Sequence, residues 1–138
     1  MMIIGVDPGG TTGLVKVLHG DVVDEGQLDF VGAVRWLNSE IPLADLVVVE
    51  RFVISGRTMT GSREGAMDAI HLIGVCRALG ELYTVPVMQQ TPADAKNAFN
   101  DDVLRRTGYY DKVHGRHARD ALRHALLAIR KTDKTEGR

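Results

Sequence analysis

Two short apolar runs in this chain each stop at a carboxylate: residues 2–6 at Asp7 and residues 46–49 at Glu50. Both read as strands, and the second, with no polar face, fits a parallel or central strand buried on both faces. A carboxylate beside such strands is costly unless a compensating charge meets it. Divalent metal is the usual compensation, and hard oxygen ligands suit magnesium or manganese.

The order of elements predicts the sheet those strands belong to. Residues 2–6, 14–18 and 22–28 read as three strands broken by Asp7-Pro8-Gly9-Gly10-Thr11-Thr12-Gly13 and by His19-Gly20-Asp21, an antiparallel meander. Residues 30–37 have helical spacing, and 46–49 is the next strand. Residues 51–62 form a loop rich in Gly, Ser, Thr and Arg, and 64–83 a long helix. Residues 85–88 are a short strand, 92–100 and 103–106 are helical, and 116–131 is the last helix, followed by a flexible tail over 132–138. The order βββαβαβα predicts one α/β domain over 1–131, a mixed five-stranded sheet with helices on both faces. A right-handed crossover sets the 46–50 strand parallel to the first. As neighbours, those two strands carry Asp7 and Glu50 to the same carboxyl edge, where open α/β sheets bind ligands.

Bulk properties exclude several classes. The 138 residues suffice for a real core, and the lone Cys76 rules out a disulfide framework and a cysteine zinc site. No apolar run approaches the roughly 20 residues of a membrane span. The N-terminal stretch lacks a basic region and contains an acid, unlike a signal peptide, so a cytoplasmic location is expected. The net charge is only −1, but it is unevenly spread. Residues 1–100 carry 7 Lys and Arg against 12 Asp and Glu, and residues 101–138 carry 10 against 6. Much of the basic excess lies on the last helix, where Arg116, Arg119, Arg123 and Arg130 recur at helical spacing.

That helix also carries His117 and Asp120 at i, i+3, on one face, with His124 extending the stripe. Ala118, Ala121, Leu122, Ala125 and Ile129 on the other face dock it on the sheet. Taken singly, each acid has a plain structural alternative. Asp7 before Pro-Gly is a good turn former. Glu50 can simply be a strand end entering solvent. Asp120 can pair with Arg116, Arg123 or His124.

Taken together they form a pattern. Ile4-Gly5-Val6-Asp7-Pro8-Gly9 with Thr12-Gly13, then Val48-Val49-Glu50, then His117 and Asp120-Ala121-Leu122, resembles the RuvC-type Holliday junction resolvases of the ribonuclease H-like superfamily. The resemblance spans nearly the whole chain. Its short, lean loops look like those of a bacteriophage-borne member, whose location would be the host cytoplasm.

The resemblance implies a metal-dependent endonuclease that cuts four-way DNA junctions and leaves 5′-phosphate and 3′-hydroxyl ends. It implies two Mg2+ or Mn2+ ions per site, Asp7 bridging them, Glu50 holding one and Asp120 the other. His117 stands where relatives carry His or Asp. Lys96, four residues after Pro92, matches a lysine that neutralises the scissile phosphate. The second lysine of relatives is absent between 97 and 104, leaving Arg105 or Arg106 as substitutes. Phe52 is near, but offset from, the position of an aromatic wedge. Arg51, Arg57 and Arg63 beyond Glu50, with Arg116, Arg119 and Arg123, would supply phosphate contacts. The 64–83 helix is apolar around much of its circumference, and its counterpart makes a two-fold dimer suited to paired cuts.

Other readings differ in substrate or class. A related nuclease could act on forks, flaps or structured RNA. The Asp7–Gly13 segment also resembles the phosphate loop of actin-like ATPases and sugar kinases, but those need two such domains, for which 138 residues leave no room. A non-catalytic DNA-binding module would not need all four metal positions filled.

Overall fold

The computed structural model describes residues 1–52 and 63–136. Strands β1 (Met2–Asp7), β2 (Thr12–Leu18) and β3 (Asp21–Leu28) form the expected antiparallel meander. Helix α1 (Phe30–Glu40) leads through a one-turn 3-10 helix to β4 (Leu46–Glu50), parallel to β1. Helix α2 (Arg63–Tyr83) precedes β5 (Val87–Gln90), parallel to β4. Two short helices, α3 (Pro92–Ala98) and α4 (Asp101–Arg106), then lead to the long α5 (Arg116–Thr135). The spatial order is β3-β2-β1-β4-β5, so the two strands that end on carboxylates are neighbours.

Strand periodicity decides which face each residue serves. On β1, Ile3 faces one core, while Ile4 and Val6 face the other. On β4, Leu46 and Val48 join Ile3, whereas Val47 and Val49 join Ile4. The first core is closed by α5 through Ala118, Ala121, Leu122 and Ala125. The second is closed by α1 and α2 through Ala33, Leu37, Leu72 and Cys76. Each fully buried Leu or Ile contributes roughly 1.5–3 kcal/mol. That burial, rather than composition, holds the otherwise highly charged α5 in place.

Local chemistry sets the element ends. Asp29 caps α1 by accepting from the Gly32 amide at 2.8 Å. The β2–β3 turn has His19 and Gly20 at φ 50° and 83°, suited to a tight hairpin.

Several boundaries differ from those expected from the sequence. The expected strand at 85–88 begins two residues later, because the Val85 amide returns to the Gly80 carbonyl at 2.8 Å and ends α2. Pro86, lacking an N–H, contributes only its carbonyl, which accepts from Val47. The helix expected over 92–100 stops at Ala98, since Asn100 caps α4 by accepting from the Val103 amide at 2.9 Å. The last helix runs to Thr135 rather than ending at Lys131. Thr132 and Thr135 direct their hydroxyls to carbonyls one turn back, at 2.9 and 3.0 Å.

Candidate active site

The periodicity that sorts the core also sorts the acids. Counting by twos from Ile3 through Gly5 leads to Asp7, and from Val48 leads to Glu50. Both carboxylates therefore lie on the α5 face of the sheet, at the carboxyl edge of adjacent parallel strands.

Helix α5 reaches them because glycine leaves it room. A Cβ on Gly13 would lie 1.9 Å from the His117 carbonyl oxygen. One on Gly5 would lie 2.2 Å from that of Ala121. The helix backbone thus rests directly on the backbone of β1 and β2. Gln27 of β3 steadies the first turn by accepting from the His117 amide at 2.9 Å. Farther along, Gln90 of β5 donates to the His124 carbonyl at 2.9 Å and accepts from the Lys131 ammonium at 3.1 Å.

The result is a row of paired side chains. His117 Nδ1 lies 3.0 Å from Asp7 Oδ2, and His124 Nε2 lies 2.8 Å from Glu50 Oε2. Arg123 Nη1 donates to Asp120 Oδ1 at 2.5 Å. Asp7 is only 6% exposed. Burial, reinforced by the charges of Glu50 and Asp120, pushes its pKa up to about 8, with partial relief from His124 and Arg116. The pairing leaves this buried carboxylate short of positive charge.

Among the described residues, no three Asp, Glu, His or Cys side chains already converge as a ready-made metal cluster. A divalent ion would take over partners that now bind one another. The donor set fits one: three carboxylates and an imidazole, on neighbouring elements, with the most buried carboxylate under-compensated. Carboxylates of this kind hold hard divalent cations, and the fit is one of donor chemistry.

A cleft of about 550 Å³ opens beside the row, bordered by Lys96, Asn100, Arg116, Arg119 and Asp120. A smaller recess of about 120 Å³ joins Lys96 to Glu50, Asp120 and His124. Lys96 is exposed on α3, at the rim of both. Arg119, which borders the cleft, shares the Tyr110 ring with Arg105: their guanidinium carbons lie 4.6 and 4.3 Å from its centre. Arg130 stacks on Phe99 at 4.4 Å.

One expected phosphate contact needs correction. Arg123 does not face outward with Arg116 and Arg119; it is 5% exposed. Its guanidinium binds Asp120, Asp101 and the Phe99 carbonyl, the last at 2.7 Å. The turn between α3 and α4 wraps this stretch of α5 and converts a helix-face arginine into an internal tie. Arg51 is exposed, and its amide donates to the Gln90 carbonyl at 2.7 Å. Phe52 is half-buried, and Arg63 is exposed at the start of α2. Arg57 and most of the 51–62 loop lie outside the described residues.

The sequence suggests for His124 only an extension of the stripe or a pairing with Asp120, not its partnership with Glu50. Its signal was a single imidazole among Ala121, Leu122, Ala125 and Ala128, four residues after Asp120. Gln90 gave none, because its partner is a helix carbonyl.

No protein-family model matches the chain, and no curated protein matches it. Solved structures do resemble it. RuvC of Thermus thermophilus in complex with a Holliday junction substrate superposes with a TM-score of 0.67 at 19% identity, over 91% of this chain and 90% of that one. A second Thermus thermophilus RuvC structure gives 0.66 at 18%, over 91% and 92%. The Fowlpox virus resolvase with Holliday junction DNA gives 0.53 at 12%, over 96% and 99%. The chain has the RuvC-type, ribonuclease H-like fold along nearly its whole length.

Proposed function

We propose that this chain is a RuvC-type resolvase, a metal-dependent endonuclease that cuts four-way DNA junctions and leaves 5′-phosphate and 3′-hydroxyl ends. The observation that carries the reading is the gathering of Asp7, Glu50, Asp120 and His117 at one sheet edge, beside a cleft rimmed by Lys96, Arg116 and Arg119. The fold shared with junction-bound resolvases supports it.

Asp7, Glu50, Asp120 and His117 would hold two Mg2+ or Mn2+ ions. When bound, such ions supply an activated water and stabilise the leaving 3′ oxygen of an in-line displacement. The chain's own residues do the rest. Lys96, at the rim of the recess, neutralises charge on the scissile phosphate. Arg116 and Arg119 hold neighbouring phosphates, and Tyr110 keeps Arg119 extended along the cleft wall. Arg51, Phe52, Arg57 and Arg63 extend the contact surface beyond Glu50. Arg123 acts from inside, orienting Asp120.

Two symmetric cuts call for two sites related by a two-fold axis. Helix α2 turns Ala69, Leu72, Cys76 and Gly80 to the core, while Met67 and Leu82 stay 49% and 70% exposed. That outward apolar side is the proposed homodimer surface. Sedimentation should give a dimer at about micromolar concentration, a range in which stable interfaces form; a monomer with and without DNA defeats this part.

The decisive experiment is Asp7→Asn on a labelled four-way junction. Binding persists and cleavage disappears; retained cleavage overturns the site. Fork, flap and RNA substrates in the same assay separate the junction resolvase from the related nuclease. Paired symmetric nicks on the four-way junction alone support the first, and equal cutting of forks or flaps favours the second.

A further inference from the structure

His124 is not used by that chemistry, yet it is the buried group with the most unusual surroundings. It is 1% exposed on a stretch of α5 that is apolar apart from Arg123. Its Nε2 meets Glu50 Oε2 at 2.8 Å, while its Nδ1 is buried without a hydrogen-bond partner among the described residues. An apolar residue, like its neighbours Leu122 and Ala125, would avoid that unmet polar atom.

The geometry favours one position for the proton in the neutral ring. With hydrogen on Nδ1, a buried donor would go unmet, and lone pairs of Nε2 and Glu50 Oε2 would face each other at 2.8 Å. With hydrogen on Nε2, the ring donates to Glu50 and leaves only an acceptor unmet, the lesser cost. The ring is also held from behind, because Gln90 grips the His124 carbonyl and Lys131 grips Gln90.

We propose that His124 is a positioning residue for Glu50. Its Nε2–H fixes the carboxylate's rotamer by engaging Oε2 and leaves the second oxygen to accept a divalent ion. This rests on the metal-dependent reading of the site. The role belongs to this side chain's shape: a glutamine can carry an amide N–H to the Nε2 position, whereas an asparagine ends near Nδ1 and cannot reach Glu50.

The test uses the full chain and Mn2+ as probe, without DNA. Binding is followed by the loss of the free-ion electron paramagnetic resonance signal. His124→Asn weakens Mn2+ binding by about 10-fold or more, the range for lost outer-sphere partners, and His124→Gln stays within about 3-fold of the native protein. Asparagine binding like the native protein, or glutamine losing as much as asparagine, overturns the proposal. Nitrogen-15 spectra of the native, metal-free protein give a check that needs no variant: His124 protonated at Nε2 supports it, and at Nδ1 overturns it. A native protein that takes up no Mn2+ overturns the metal-dependent reading itself, a failure distinct from the others.

Discussion

Replacing Asp7 by asparagine removes a pH-dependent weakness of the metal-free protein. Asp7 is 6% exposed, and burial together with the charges of Glu50 and Asp120 raises its pKa from 3.8 to about 8. The unfolded chain releases this proton near the ordinary value, whereas the folded protein keeps it to about 8. Between those values the folded state binds one more proton. The associated stability is therefore complete below the ordinary value and is lost as pH rises through the folded one. The slope is about 1.4 kcal/mol per pH unit, so going from about pH 5.5 to about pH 7.5 costs the native protein up to about 2.7 kcal/mol. Asparagine carries no such proton. Constant contributions, including the altered contact with His117, cancel when the two pH values are compared. The stability gap between Asp7→Asn and native protein, measured by urea unfolding in a chelator, therefore widens in favour of the variant by about 2–3 kcal/mol. In melting temperature this is about 6–10 °C for a domain of this size. Adding Mg2+ or Mn2+ acts the other way, raising the melting temperature of the native protein more than that of the variant. Parallel pH profiles for the two proteins would refute the assignment of Asp7 as the under-compensated buried carboxylate.

Gly13→Ala drives a methyl group to within 1.9 Å of the His117 carbonyl oxygen, so α5 must lift. A loss of about 2–4 kcal/mol in urea unfolding, with junction cleavage abolished, is expected. Arg123→Met breaks a buried tie to Asp120 and Asp101 and costs about 3–5 kcal/mol in the same assay, whereas Arg119→Ala costs less than about 1 kcal/mol. Arg116→Ala and Arg119→Ala each flatten the salt dependence of junction affinity, measured by fluorescence anisotropy, by about one unit of log–log slope.

Much of this site was legible because it rests on local periodicity. Apolar runs ending at Asp7 and Glu50 identify covered strands, and counting by twos puts each acid on one face. The i, i+3 spacing does the same for His117 and Asp120. Those relations are set by backbone geometry, which a chain carries wherever it folds. The meaning of the arginine stripe was not legible. Arg116, Arg119 and Arg123 share a side of α5, but the turn from Phe99 to Asp101 covers only Arg123 and turns it into an internal partner of Asp120. The pairing of His124 with Glu50 likewise joins residues 74 positions apart, and no helical or strand period relates them. The sequence alone determined which residues point together within each element, and tertiary packing decided which of those faces meet protein and which meet the cleft. The physical reason is that a side chain's direction follows from two dihedral angles at its own residue, whereas its surroundings depend on elements brought together only when the core closes.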